Sequence, residues 1–172
     1  MPKFILISWI GQKFVVYSRR MKKPKKVFKH SVAVVVSRFN EEITQKLEEG
    51  ALDYLDECES VHVEVFRVPG AVEIPLTCQW VLARGFDGVV ALGAVIRGET
   101  SHYDYVCNSV TDGITHLMLK TGKPIAFGVL TTENDEQALD RVGGKHGNKG
   151  RDAAQTVMEM IGLGKTLKKS KK

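Results

Sequence analysis

The sequence predicts an α/β domain built on a four-stranded, mainly parallel sheet with helices on both faces. Three observations carry that expectation. Short apolar runs recur from Ser31 onward, Val32–Val36 foremost, as strands buried on both faces require. Between them the apolar residues return every three or four positions, the period of a helix. Strands that alternate with helices pair in parallel, because each crossover carries the chain back to where the next strand starts.

The elements follow in order. Val32–Val36 is a continuous β-branched run and makes the first strand. Asn40 precedes Glu41 and Glu42, so a cap and two acids mark a helix start. Ile43, Leu47, Ala51 and Leu55 then recur at four-residue steps, which makes Glu41–Glu57 amphipathic. Val61–Val68 is the second strand. Pro69-Gly70 ends it, and Pro75 suits the first turn of a helix reaching Arg84. Gly85-Phe86-Asp87-Gly88 connects to the third strand, Val89–Ile96. Val106, Val110, Ile114 and Leu117 mark a helix over His102–Lys120. Lys123-Pro124 opens the fourth strand, Ile125–Leu130. A short helix over Asp135–Arg141, a glycine-rich loop over Gly143–Gly150 and a last helix through Ile161 complete the chain.

The 172 residues, 43% hydrophobic and 26% charged, suit one globular domain. They exclude a wholly disordered chain, a collagen and a coiled-coil rod. No stretch approaches the ~18 apolar residues of a membrane-spanning helix, so no membrane partner is expected. Cys58, Cys78 and Cys107 are odd in number and widely spaced, which suggests neither a disulfide framework nor a zinc ribbon. Reduced thiols in a cytoplasmic setting are the simpler expectation.

The net charge of +5 conceals an asymmetry. Residues 1–30 hold nine Lys or Arg and residues 165–172 five Lys, neither with an acid, which leaves eleven cations against all 20 acids in the body. The expected organisation is a basic, flexible arm over 1–30, one domain over 31–163 and a lysine-rich tail over 164–172. Such ends stay solvated. The alternative is an electrostatic arm for nucleic acid, but no aromatic residues interleave the lysines of the tail, so base stacking there has no support. The apolar run Phe4–Ile10 lacks a small-residue cleavage site after it, as a signal peptide would need. Met21 is a candidate translation start.

In a parallel sheet, ligands gather where the strands end. Arg38-Phe39-Asn40, Pro69–Glu73, Arg97–His102 and Thr131-Thr132 each follow a strand, and four constellations, one of them the later glycine-rich loop, could carry chemistry. Arg97-Gly98-Glu99-Thr100-Ser101-His102 joins a strand to a helix start, whose amide N–H groups suit an anion such as phosphate; the alternative is a plain Ser or Thr cap. His102 at its mouth can move protons near neutrality, or be an ordinary surface histidine. The run from Arg141 to Gly150 holds four glycines and three cations, suited to phosphate, or forms a mobile basic loop. Phe39-Asn40 offers a stacking ring, worth ~0.5–1.5 kcal/mol beyond burial, and an amide for ring groups. Taken alone, those residue types favour Phe39 in the core and Asn40 as a cap. Glu73 could accept polyol hydroxyls or serve only the helix dipole.

Taken in order, Arg38-Phe39-Asn40, VPGAVEIP (68–75), GAVIRGETSHYDYV (93–106), FGVLTT (127–132) and GGKHGNKG (143–150) resemble the lumazine synthases across about residues 31–163. The resemblance implies a flavodoxin-like three-layer αβα sandwich. It implies condensation of 5-amino-6-(ribitylamino)uracil with 3,4-dihydroxy-2-butanone 4-phosphate to give 6,7-dimethyl-8-ribityllumazine, phosphate and water, with no metal or organic cofactor. His102 would be the general acid/base. Gly98, Glu99 and Thr100 would hold the phosphate with Arg141, and Phe39 and Asn40 would meet the pyrimidine. Ala71, Val72 and Glu73 would bind the ring and ribityl chain. Val95 and Ile96 would add backbone contacts, and Lys149 would lie near the substrate. Phe127, Arg141 and Lys149 would come from an adjacent subunit of a homo-oligomer, a pentamer or a sixty-subunit shell.

Overall fold

A computed structural model of the chain describes residues 3–9, 12–18 and 29–169. The expected start at Met21 and most of the basic stretch before it meets the body lie outside the described residues, as do the last lysines. Ahead of the body, strand β1 (Lys3–Trp9) pairs antiparallel with β2 (Gln12–Ser18), with Ile7 opposite Phe14.

The body is one parallel sheet in the order β4-β3-β5-β6. Its strands are β3 (His30–Ser37), β4 (Val61–Val68), β5 (Gly88–Ile96) and β6 (Ile125–Thr132). The side-chain alternation of a strand sends its apolar residues to opposite layers. Val32, Val34 and Val36 meet Leu47 and Leu55 of α1 (Glu41–Glu57) and Ala154 and Val157 of α5 (Lys149–Lys169). Ala33 and Val35 meet Ile74 and Cys78 of α2 (Ile74–Ala83) and Val110 and Ile114 of α3 (His102–Thr121). β3 therefore needs apolar residues at consecutive positions, and the valine run supplies them. Each fully buried valine contributes about 1.5–3 kcal/mol of transfer energy. The result is a flavodoxin-like α/β sandwich with a helical layer on each face.

The element boundaries expected for α1 and β4 hold at both ends. Elsewhere the structure differs in detail. A 3-10 turn, Ala71–Glu73, precedes α2, with Pro75 in the first turn. The short helix α4 stops at Leu139, because Arg141 N–H turns back to Ala138 O (3.0 Å). The glycine-rich stretch is a small hairpin of β7 (Val142–Gly144) and β8 (Gly147–Asn148) rather than a loop, and its last two residues are already helical. Helix α5 continues past Ile161 to Lys169, where a lysine tail was expected. No proline interrupts it despite Gly162 and Gly164, and Lys165 Nζ anchors it to Lys29 O (3.0 Å) at the start of the sheet.

One glycine fixes how the last helix docks. A Cβ on Gly150 would lie 1.9 Å from the carbonyl oxygen of Leu47, so only glycine lets α5 begin against α1. Asn148 caps the junction: its Oδ1 accepts Gly150 N–H (2.9 Å), and its Nδ2 donates to Lys46 O (2.8 Å).

Candidate functional site

Three neighbouring strands deliver the first group of residues to one edge of the sheet. Beyond β3, Arg38 N–H donates to Val68 O (2.8 Å) and Phe39 N–H to Pro69 O (3.2 Å). These bonds hold the chain at the sheet edge, away from either core. The Phe39 ring is 70% exposed, so the expectation of a core phenylalanine is corrected. Asn40 is corrected too. It stands at the start of α1 with φ 58° and ψ 52°, and its side chain makes no cap bond. Its Nδ2 instead donates to Ala94 O (3.0 Å) near the end of β5. The first helical bonds are taken by its backbone carbonyl, from Ile43 and Thr44 (3.0 Å each).

Beyond β4, Glu73 Oε2 accepts Gly70 N–H (2.9 Å), which shapes the 3-10 turn. Ala71 packs in the core, while Val72 stays 46% exposed beside it. Glu73 therefore serves local structure through one oxygen at least.

At the end of β5, Val95 is buried and Ile96 half-buried, and beyond it Gly98–His102 are exposed. Thr100 Oγ1 accepts His102 N–H (3.3 Å). Among the described residues, no acceptor takes the N–H groups of Gly98, Glu99, Thr100 or Ser101. Four consecutive unpaired amides just ahead of a 20-residue helix leave donors free where the helix dipole is positive. The His102 imidazole stands at the same helix start.

The second group lies elsewhere. Phe127 (42% exposed), Thr131, Arg141, Lys149 and Asp152 line a cavity of about 340 Å³ along the outer edge of β6. The small hairpin brings the two cations together, since Lys149 N–H donates to Arg141 O (2.9 Å). Arg141 Nη1 donates to Gln137 O (2.8 Å), and Lys149 Nζ pairs with Asp152 (2.7 Å). The adjoining turn is fixed by Asp140. The backbone N–H of Lys145 and then the His146 ring hold that carboxyl below its usual range. Thr131 was marked only by its place after a strand and in the FGVLTT string, without a role, and nothing in the sequence marked Asp152.

The aromatic rings of the two groups stand apart within a protomer, although Thr131 of the second group pairs directly with Val95 of the first. Phe127 pairs with Ala91, whereas Phe39 continues the register in which Val36 pairs with Leu92. Four residues along the strands and two strands across put their Cα atoms roughly 16 Å apart. The chemistry also divides. One group offers a stacking surface, free amides and an imidazole; the other offers an aromatic ring and two cations.

The cysteines add no reactivity. Burial pushes the Cys78 thiol up to about 12 and raises Cys58 and Cys107 as well. Among the described residues no three His, Cys, Asp or Glu side chains gather as a metal site would need, and no helix is long and apolar enough to cross a membrane.

Residues 29–165 match the family described as 6,7-dimethyl-8-ribityllumazine synthase. The chain is 70% identical over 135 residues to the 6,7-dimethyl-8-ribityllumazine synthase of Bdellovibrio bacteriovorus, a match covering 78% of this chain and 75% of that protein. It is 50% identical over 131 residues to that of Cytophaga hutchinsonii (74% and 82%). It is 46% identical over 137 residues to that of Limosilactobacillus reuteri (79% and 90%).

Proposed function

The chain belongs to the 6,7-dimethyl-8-ribityllumazine synthase family, and from that premise we propose that two neighbouring protomers build its active site between them. The enzyme is a transferase of riboflavin biosynthesis. It condenses 5-amino-6-(ribitylamino)uracil with 3,4-dihydroxy-2-butanone 4-phosphate to give 6,7-dimethyl-8-ribityllumazine, phosphate and water.

The observation that carries the two-protomer reading is the roughly 16 Å between the Cα atoms of Phe39 and Phe127 on one chain. A substrate stacked on Phe39 needs cations, and its own protomer holds Arg141 and Lys149 beside Phe127 in the cavity along the outer edge of β6. A neighbour that turns that edge toward the first group supplies Phe127, Arg141 and Lys149. Such head-to-tail contacts close into rings, and the assembly in this reading is a pentamer or a shell of pentamers. The three free cysteines accord with a cytoplasmic enzyme.

In this reading the uracil ring lies on the exposed face of Phe39, with Asn40 Oδ1 available to it. Backbone groups of Val95 and Ile96, together with Ala71 and Val72, border the ring. Glu73 meets the ribityl hydroxyls with the oxygen not needed by Gly70. The butanone phosphate sits on the amides of Gly98, Glu99 and Thr100, opposite the neighbour's Arg141 and Lys149. The pyrimidine amine attacks the ketone carbon, and the carbinolamine loses water to an imine. Phosphate then leaves, and a second condensation closes the ring. Each step moves a proton, and His102, an imidazole at the mouth of the phosphate loop, takes the general acid/base role that the family resemblance implies. Such help is worth ~10²–10⁴-fold, which sets the expected loss in His102→Ala.

The test mixes both substrates with the purified protein and follows lumazine fluorescence while light scattering reports the mass. Turnover in an assembled particle is expected. Full turnover by a solitary protomer would overturn the two-protomer site.

A further inference from the structure

We propose that Arg97 is a positioning and charge-screening residue for the phosphate half of the site, an inference that rests on reading Gly98–Thr100 as the phosphate loop. Arg97 is the first residue beyond β5, and its N–H extends the sheet by donating to Thr132 O (2.9 Å). Its side chain then gathers three elements. Nε donates to Glu133 Oε2 (2.7 Å) beyond β6; Nη2 and Nη1 donate to Asp104 Oδ1 and Oδ2 (3.1 and 3.4 Å) in the first turn of α3. The guanidinium carbon stands 4.0 Å from the centre of the Tyr103 ring.

The span from Arg97 to Asp104 contains the four unpaired amides and His102. A fork that joins its two ends therefore fixes the loop without entering it. The hydrogen-bonding directions of the guanidinium face carboxylates, so Arg97 is not itself a phosphate ligand. Its electrostatic effect runs through those acids. Asp104 and Glu133 bring two negative charges beside the helix start on which a phosphate would rest, and Arg97 offsets them. The side chains are between 38% and 58% exposed. Exposed pairs of this kind contribute little to stability, so the network's weight falls on orientation and local charge.

The experiment measures KM for each substrate and inhibition by inorganic phosphate in the assembled enzyme. Arg97→Ala should raise KM for the butanone phosphate about 10-fold and weaken phosphate inhibition in parallel. KM for the pyrimidine should change far less. Adding Asp104→Asn to Arg97→Ala should restore most of the lost phosphate affinity, which a purely structural role would not allow. Should Arg97→Ala fail to assemble, Asp104→Asn alone decides, with tighter phosphate inhibition than wild type expected. Equal effects on both KM values, no restoration in the double variant, or unchanged inhibition in Asp104→Asn alone would overturn the inference. Arg141→Ala separates the two levels. If it leaves phosphate inhibition untouched, the phosphate-loop reading itself fails. If it weakens inhibition while Arg97→Ala does not, only the role of Arg97 falls.

Discussion

Replacing Asn40 separates two tasks performed by one side chain. Its backbone lies at φ 58° and ψ 52°, where an ordinary L-residue costs about 1–2 kcal/mol and asparagine less. Its Nδ2 also ties α1 to Ala94 O at 3.0 Å, a bond contributing about 0.5–1.5 kcal/mol net. Asn40→Gly removes the bond and leaves the backbone unstrained, so it should cost about 1 kcal/mol. Asn40→Ala removes the same bond and adds left-handed strain of about 1–2 kcal/mol. Alanine recovers roughly 0.4–1 kcal/mol of that through its narrower unfolded ensemble. The alanine variant should therefore be the less stable by about 0.5–1 kcal/mol. The sign is diagnostic, because within a helix alanine is better than glycine by ~1 kcal/mol. Urea unfolding followed by circular dichroism, at one fixed subunit concentration, measures the difference. An alanine variant as stable as the glycine variant, or more so, would refute the reasoning. Both variants should also raise KM for the pyrimidine, because Phe39 is held by the same turn.

Gly150→Ala should be destabilising, since its Cβ would meet Leu47 backbone at 1.9 Å. Overpacking of about 1–3 kcal/mol corresponds to a fall in Tm of roughly 2–12 °C, read by thermal melting; an unchanged Tm would mean that α5 moves away at no cost. Acid should weaken the fold through His30, which burial and then the Lys165 ammonium hold below its ordinary value of 6.5. The folded state binds fewer protons there, so this stability is fully present above pH 6.5 and is lost as pH falls through the folded value. Tm measured across that window should fall in the wild type and fall less in His30→Asn; equal slopes would contradict the assignment.

The layers of the sandwich were legible because burial on two faces leaves a plain mark. The valines of β3 fix that strand to within two residues at its start and one at its end, and the four-residue steps of α1 fix both of its ends. The exposure of Phe39 was legible only through the resemblance, and not from residue type. An aromatic residue after a buried strand reads as core, and only the bonds from Arg38 and Phe39 to the end of β4 turn its ring outward. Asn40 carried the right position with the wrong task, since a cap and a left-handed strut share a residue type. The glycines after Arg141 read as a loop because a three-residue strand has no periodicity to detect. The division of the site was expected only through the resemblance, which gave Phe127, Arg141 and Lys149 to an adjacent subunit. Sequence order places Phe127 in line with the other motifs, whereas strand order puts it on β6 at the end of the sheet, two strands from β3.

Mixing two disabled variants tests that division most directly. His102→Ala spoils the first group and Arg141→Ala the second, and each alone should be nearly inactive. Dissociated, mixed in equal amounts and reassembled, they should regain about one quarter of wild-type activity, because about one contact in four in a random ring joins two intact halves. Activity no greater than the sum of the separate variants, in assemblies shown to be mixed, would contradict a site shared between protomers.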